Sequence, residues 1–307
     1  MPQPPPVHGG ASSLSPLVHA VIGAGAGVVE VMLLHPLVSV KNALQEKRPI
    51  NFAPRALYRG VLANASSFAP ITMLQCVTVA RHSLFHSDGP VLLRRFGVNR
   101  LLERRLSVDG DGASFSSVQH VAVAATAGAV SSCLSNPCEL VILQQQRNCS
   151  PLTATVTQLL RTHGVTIFAR GAAPCILREA IYTGGYLGTA PIVSGLLRTL
   201  PSLHDAPAAA QLIGAMASGA TAAVLTQPLD TIKTRMQGDL MDVDRSYSSL
   251  ARAASTLWAE GGVKALWAGL LPRGSRIICA TIILSQAKRI SVDALEKRQH
   301  QGSLAFL

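Results

Sequence analysis

Arg178, Glu179 and Arg276 are the ionisable residues that most need explaining, because each opens onto a stretch free of Asp, Glu, Lys and Arg (180–197 after the first two, 277–287 after the third). A charge at membrane depth costs roughly 2.5–3.5 kcal/mol on insertion scales, so such a residue faces a wet interior. Arg178 has the planar fork that grips a carboxylate, Glu179 can accept from an ammonium, and Arg276 adds a second cation. Together they carry one net positive charge, which suits a zwitterion with modest extra negative charge or a neutral amino acid moved with an ion. A cationic solute would want a further acid, which Glu30 could supply. Adjacent helical residues point about 100° apart, so Arg178 and Glu179 are not expected to pair with each other.

A second charged set lies on three related segments: His35-Pro36-Leu37-Val38-Ser39-Val40-Lys41, Asn136-Pro137-Cys138-Glu139-Leu140-Val141-Ile142 and Gln227-Pro228-Leu229-Asp230-Thr231-Ile232-Lys233. Aligned on Pro36, Pro137 and Pro228, a glycine falls nine residues before each (Gly27, Gly128, Gly219), preceded four residues earlier by Gly23, Ala124 or Ala215. Nine residues after each proline stands a glutamine: Gln45, Gln146, Gln237. Each segment is followed by Tyr58-Arg59-Gly60, Ala169-Arg170-Gly171 or Trp267-Ala268-Gly269, with Arg178 and Arg276 seven residues after their glycines and Ser67, beside Phe68, equivalent in the first copy. Self-similarity at a fixed spacing is a sign of repeat architecture. Small-xxx-Gly spacing lets helices approach closely in lipid, and a proline within a helix removes a hydrogen bond and bends it.

The elements that position these residues must be membrane helices. The 307-residue chain is 48% hydrophobic but only 14% charged, against about 25% charged in soluble domains, and its mean hydropathy is +0.32. Segments 1–29, 60–80, 113–138, 180–197 and 206–229 carry no charged side chain, and a spanning helix needs about 20 mainly apolar residues. Segment 277–287 makes a sixth if Arg273 and Arg276 face water or protein. A soluble solenoid or buried-helix enzyme would carry charged helix faces here. The net charge of +11 clusters between the apolar stretches with few aromatics, which points to anionic lipid rather than nucleic acid. The six cysteines show neither metal-ligand spacing nor a disulfide framework. No cofactor and no metal are expected, nor an enzyme, since no nucleophile–base pair stands out. The first residues lack the basic region of a secretory signal.

On these motifs the chain resembles the mitochondrial carrier family. Its signature, P-x-[DE]-x-x-[KR] closing each odd helix and an aromatic-[KR]-G before each even helix, is complete in Pro228–Lys233 and partial in the other copies, over roughly residues 15–298. The resemblance implies an all-α membrane fold of six transmembrane helices in three pseudo-symmetric two-helix repeats (15–108, 109–205, 206–298), with tails at 1–14 and 299–307. It implies a matrix gate in which the acid of each repeat pairs with the base of the next: Asp230 with Lys41, Glu139 with Lys233. Val38 and Ile142 would face each other as an apolar contact, because both halves of the third pair are replaced, a swap that is often neutral for stability.

The resemblance further implies that Gln45, Gln146 and Gln237 brace that gate, and that Gly60, Gly171 and Gly269 begin helices whose free N–H groups bind cardiolipin. Ser67, Phe68, Arg178, Glu179 and Arg276 would be the substrate contacts, with Arg178-Glu179 resembling carriers of amino acids and similar compounds. The expected function is alternating-access transport of an amino-acid-like metabolite across the mitochondrial inner membrane by a monomer with both termini in the intermembrane space. A transport-inactive scaffold or a carboxylate/keto-acid carrier are the alternatives. The cytosolic-side motif [FY]-[DE]-x-x-[RK] is missing from 75–84 and 182–197, and Lys288 and Arg289 stand without an acid, so that side is expected to close weakly. The Arg-rich stretch 91–112 is expected to be a solvated link between repeats.

Overall fold

The chain builds only helices and turns among the residues described in its computed structural model, which are 16–65, 117–204, 206–240, 246–283 and 286. Ser67 and Phe68, both tails, Cys76, the 91–112 link and the expectations on 75–84, Lys288 and Arg289 lie outside them. In chain order the helices are α1 (Pro16–Gln45), α2 (Pro54–Leu57), α3 (Ser117–Asn148), α4 (Leu152–His163), a 3-10 turn (Val165–Ala169), α5 (Ala172–Leu197), α6 (Pro201–His204), α7 (Pro207–Gly238), α8 (Leu250–Leu266) and α9 (Leu270–Ile283). The most extensive packing is α5 against α7 and α3.

At 1.5 Å per residue, the 30 residues of α1 and the 32 of α3 and α7 exceed the roughly 30 Å hydrocarbon core of a bilayer. Two helical segments among the described residues are long and apolar enough to cross a membrane, Gly25–Gln45 and Ala209–Gly238. The pair α8–α9, bent by 48°, would make a third. Their polarity is the reverse of a soluble bundle. On α1, Glu30, His35, Asn42 and Gln45 are buried while Val28, Val29, Met32 and Leu33 are exposed. On α7, Thr226, Gln227, Asp230 and Lys233 are buried while Ile213, Val224 and Leu225 are exposed. Water would not tolerate that arrangement, whereas lipid favours it, because buried polar groups find partners inside and apolar ones face hydrocarbon.

Pro36, Pro137 and Pro228 lie inside α1, α3 and α7. Each proline lacks the N–H that would satisfy the carbonyl four residues earlier. For Pro228 that carbonyl belongs to Val224, and Trp267 Nε1 donates to it at 3.1 Å. The residue before each proline ties back to the turn that opens the next helix: His35 Nε2 donates to Arg59 O (2.9 Å), Asn136 Nδ2 to Phe168 O (2.8 Å) and Arg170 O (3.3 Å), and Gln227 Nε2 to Ala268 O (2.6 Å). A carbonyl only accepts, and Asn64 Nδ2 donates to His35 Nδ1 (3.2 Å), so His35 is the neutral Nε2–H tautomer. The glycine after each turn takes the left-handed conformation, with φ of +87° at Gly60 and +76° at Gly171 and Gly269, where a side chain is strained.

Close approach is also visible where the small-residue spacing put it. A Cβ on Gly128 would meet Glu179 O and Thr183 Oγ1 of α5 at 2.6 Å, and one on Gly219 would meet Ile277 at 3.1 Å. Two small apolar cores seal the ends of α3 and α7. Leu140 and Val141 pack with Leu159 and Ile167, and Ile232 and Met236 pack with Tyr247, Ala253, Leu257, Ala265 and Leu266. The carbonyls at the end of α7 and at the residue capping it are satisfied by side chains from neighbours, Arg170 to Met236 O (2.5 Å) and Asp239 O (2.6 Å) and Gln144 to Gln237 O (2.7 Å), which answers the unpaired groups every helix end leaves.

Candidate functional site

Four helices converge on a chain of largely buried charges. Lys41 of α1 reaches Asp230 Oδ2 of α7 at 2.9 Å, and Lys233 of α7 is bonded to Glu139 Oε2 of α3. Arg178 of α5 lies between the two pairs: Nη1 is 2.6 Å from Asp230 Oδ1, and Nη2 is 3.1 Å from Glu139 Oε1 and 2.5 Å from Glu179 Oε1. Asp230, Lys233 and Arg178 are 1%, 1% and 7% exposed, whereas the side chains of Glu139 and Glu179 keep 35% and 26%. Lys233 and Arg178 are therefore sealed in, Lys41 keeps 16% of its side chain exposed, and two carboxylates remain reachable. Three positive and three negative groups make the cluster neutral.

Arg178 and Glu179 do pair, contrary to the expectation drawn from their 100° separation. Both side chains are long, and Glu139 and Asp230 draw the guanidinium to the side on which Glu179 can also turn. The direction of the Cα–Cβ bond does not decide where such a head group ends.

The three glutamines occupy different surroundings. Gln45 Nε2 donates to Asp230 Oδ2 (2.8 Å) and Thr231 Oγ1 (3.3 Å), and Gln45 Oε1 accepts from Thr234 (2.7 Å), so it sits directly against the Lys41–Asp230 pair. Gln146 joins α3 to α1 through Asn42 Nδ2 (2.7 Å) and Ser39 Oγ (3.1 Å). Gln237 donates to Asn136 Oδ1 (2.9 Å) and Arg170 O (3.3 Å), at the junction of α3 with the start of α5. Val38 is half-buried. Ile142 is buried, and its Cγ2 lies 3.2 Å from where a Cβ on Gly60 would stand. One turn further on, the α1–α3 junction is made by the neutral Asn42–Gln146 bond.

The helix-opening glycines form a repeating contact with this layer. A Cβ on Gly60 would press on Ile142 of α3, on Gly171 on Gln237 Cγ of α7 (3.0 Å), and on Gly269 on Lys41 Cγ and O of α1 (3.1 Å). Each of these glycines thus packs against the proline-bearing helix of another copy of the sequence motif.

Farther along α1 and α9, Arg276 Nη2 reaches Glu30 Oε1 at 3.0 Å, with Glu30 2% exposed and the Arg276 side chain 31%. The acid that sequence reasoning held in reserve for a cationic solute is engaged by Arg276. Arg273, which the sequence required only to face water or protein, was not among the candidate site residues. Its Nη1 donates to Gln227 Oε1 (3.1 Å), its Nη2 to Thr226 Oγ1 (2.8 Å), and its guanidinium lies 5.8 Å from the centre of the Tyr182 ring. It makes no ion pair with another described residue. Its position four residues after Gly269, one turn before Arg276, was the available signal. Within 182–197, where no charged gate motif occurs, Tyr182 stacks on Tyr186 with ring centres 6.0 Å apart.

Around α8, which carries Arg252, Glu260 and Lys264 and does not pass as a span by itself, a smaller ionic knot ties in Lys47, Arg235 and Tyr247. Glu260 accepts from Lys47 (2.6 Å), Arg235 (3.2 Å) and the Tyr247 hydroxyl (2.5 Å). Burial pushes the Glu260 carboxyl up, but Lys47, Tyr247 and Arg235 outweigh it and hold it below its ordinary value. Burial, with the bond to Glu260, pushes the Tyr247 hydroxyl up to about 12. Glu46, beside Arg48 (2.5 Å) and Arg147 (3.5 Å), is raised because its burial outweighs both cations.

Comparison with known proteins gives a family match. The family model for mitochondrial carrier proteins matches residues 113–199 and 204–297, more than half of the chain. The chain is 27% identical to mitochondrial uncoupling protein 6 of Arabidopsis thaliana over 242 residues, 75% of this chain and 64% of that protein. It thus spans just under two thirds of that relative's length. It is 23% identical to the mitochondrial 2-oxoglutarate/malate carrier protein of Caenorhabditis elegans over 94% of this chain and 97% of that one. With the mitochondrial S-adenosylmethionine carrier protein of Xenopus tropicalis it shares 28% identity over 83% of this chain and 87% of that one.

Proposed function

This chain belongs to the mitochondrial carrier protein family, and from that premise we propose that it moves an amino-acid-like solute across the mitochondrial inner membrane. The observation that carries the substrate class is the set of charges along the interior: Arg178, Arg273 and Arg276 against Glu179 and Glu30, a net single positive charge. A carboxylate finds cations there and an ammonium finds acids, so a zwitterion or a zwitterion with one extra acid is matched at both ends. The relatives named above differ in what they carry, and one of them is named for S-adenosylmethionine, which bears an amino-acid end.

Six spans in three two-helix repeats carry the site in this reading, supported by the three proline segments, the three left-handed glycines and the three bonds from the residue before proline. The ion cluster at the ends of α1, α3 and α7 is the matrix gate, with Gln45, Gln146 and Gln237 as its braces. The solute rests against Ser67, Phe68, Arg178, Glu179 and Arg276 in this reading, and the repeats rock so that gates on the two sides open in turn. The protein acts as a monomer in cardiolipin-containing membrane, lipid phosphate meeting the helix starts at Gly60, Gly171 and Gly269, with both termini in the intermembrane space.

The test is ligand-dependent thermal unfolding of the purified protein in detergent, against amino acids, keto acids and nucleotides. A ligand at about 100 times its Kd stabilises by about 2.7 kcal/mol, so an amino-acid-type solute raises Tm and Arg276→Ala removes the rise. A shift with only keto acids or nucleotides overturns the substrate class. No shift with any solute, from folded protein, overturns the carrier reading.

A further inference from the structure

The sequence repeat leaves one ion pair unmade. Two residues after the prolines stand Val38, Glu139 and Asp230, and five residues after stand Lys41, Ile142 and Lys233. Two acids and two bases pair, and the α1–α3 junction has neither. Yet each carboxylate of the two pairs is engaged through both its oxygens. Asp230 gives Oδ2 to Lys41 and Oδ1 to Arg178, and Glu139 gives Oε2 to Lys233 and Oε1 to Arg178. We propose that Arg178 is the third ionic arm of the closed gate, joining the two remaining pairs into one chain across α1, α7, α5 and α3 and standing in for the pair absent at Val38 and Ile142. Calling this layer a gate rests on the function proposed above.

Charge and geometry both support the assignment. A guanidinium presents two parallel donor edges, so it can bridge carboxylates from two helices, which an ammonium does poorly. Arg178 would place a surplus positive charge beside two salt-bridged acids, and Glu179 at 2.5 Å cancels it. The Arg178-Glu179 pair therefore enters the layer as a neutral unit. Arg178 is a positioning residue here: it holds α3 and α7 to α5. A solute carboxylate that takes its fork must displace Glu139 and Asp230, so occupancy of the interior loosens the layer that closes it.

Cys175 reports on this layer without any solute. It is fully buried one turn before Arg178, whose Nη2 lies 3.9 Å from its Sγ. With Cys76, Cys133, Cys138, Cys149 and Cys279 changed to serine, the reaction rate of Cys175 with a polar maleimide is measured on the full chain in detergent. Arg178→Ala raises the rate about tenfold or more, a population shift toward the open layer. Adding Val38→Asp with Ile142→Lys, which completes the missing pair away from Cys175, returns it toward the starting rate. An unchanged rate overturns the proposal. So does a rise that the added pair leaves in place, since that is only the local uncovering of the thiol. Should Arg178→Ala not fold, Arg178→Lys, able to reach one carboxylate at a time, gives an intermediate rate; a rate equal to that of Arg178 overturns the proposal. These rates do not depend on what is transported, so failure of the solute assignment would leave them unaltered.

Discussion

Asp230 shows how little latitude a buried ion has. It is 1% exposed and holds Lys41, Gln45 and Arg178 at once. Asp230→Asn keeps its shape but leaves Lys41 without its acid and takes one of three carboxylates from Arg178. Breaking a buried pair from one side costs about 3–5 kcal/mol, so a loss of that order is expected in chemical or thermal unfolding in detergent. Lys47→Ala, at the exposed end of the Glu260 knot, should cost no more than about 1 kcal/mol. Glu260 and Glu46 should also give pH slopes of opposite sign. Glu260 is lowered in the folded state, so its contribution is present above its ordinary value of 4.5 and is lost as pH falls through the lowered value. Glu46 is raised, so its contribution is present below 4.5 and is lost as pH rises through the raised value. Unfolding measured from pH 3 to 7 checks both, with Glu260→Gln and Glu46→Gln each removing its own slope. At this scale the sequence marked Arg178, Glu179 and Arg276 as charges at membrane depth. Their partners were not legible, because a long side chain's reach depends on which helices its own helix packs between.

The helix starts are where spacing and geometry agree most closely. Gly60, Gly171 and Gly269 were picked out by register alone, and all three have left-handed φ. Gly269→Ala combines that strain with a Cβ pressed against the Lys41 backbone at 3.1 Å. A non-glycine residue held there costs of the order of 1–3 kcal/mol, and the clash moves Lys41 as well. Gly25→Ala is the contrast: its φ is not positive and nothing lies within 4 Å of the new methyl. It should be neutral or stabilise by up to about 1 kcal/mol, the helix-propensity difference. Thermal unfolding of the two variants side by side reads the difference. The proline positions were equally legible, but not what repairs them. That Trp267 serves the carbonyl freed by Pro228 needs two helices in three dimensions, as do the bonds from His35, Asn136 and Gln227 to the turns that follow.

For the whole molecule, the low charge content and the charge-free stretches carried the membrane assignment. α1 and α7 each bury a polar face and still pass as spans, with one bent pair, among the described residues. The threefold spacing, which hydropathy does not register, said more. If the three repeats close around one interior, a solute site and a charged closing layer belong to the same cavity. The most direct test is uptake into cardiolipin-containing liposomes of radiolabelled amino acids, keto acids and nucleotides, by the unaltered protein and by Arg276→Ala. Saturable uptake of an amino-acid-type solute, lost in the variant, is the predicted result. Folded, inserted protein that moves none of these solutes would contradict it.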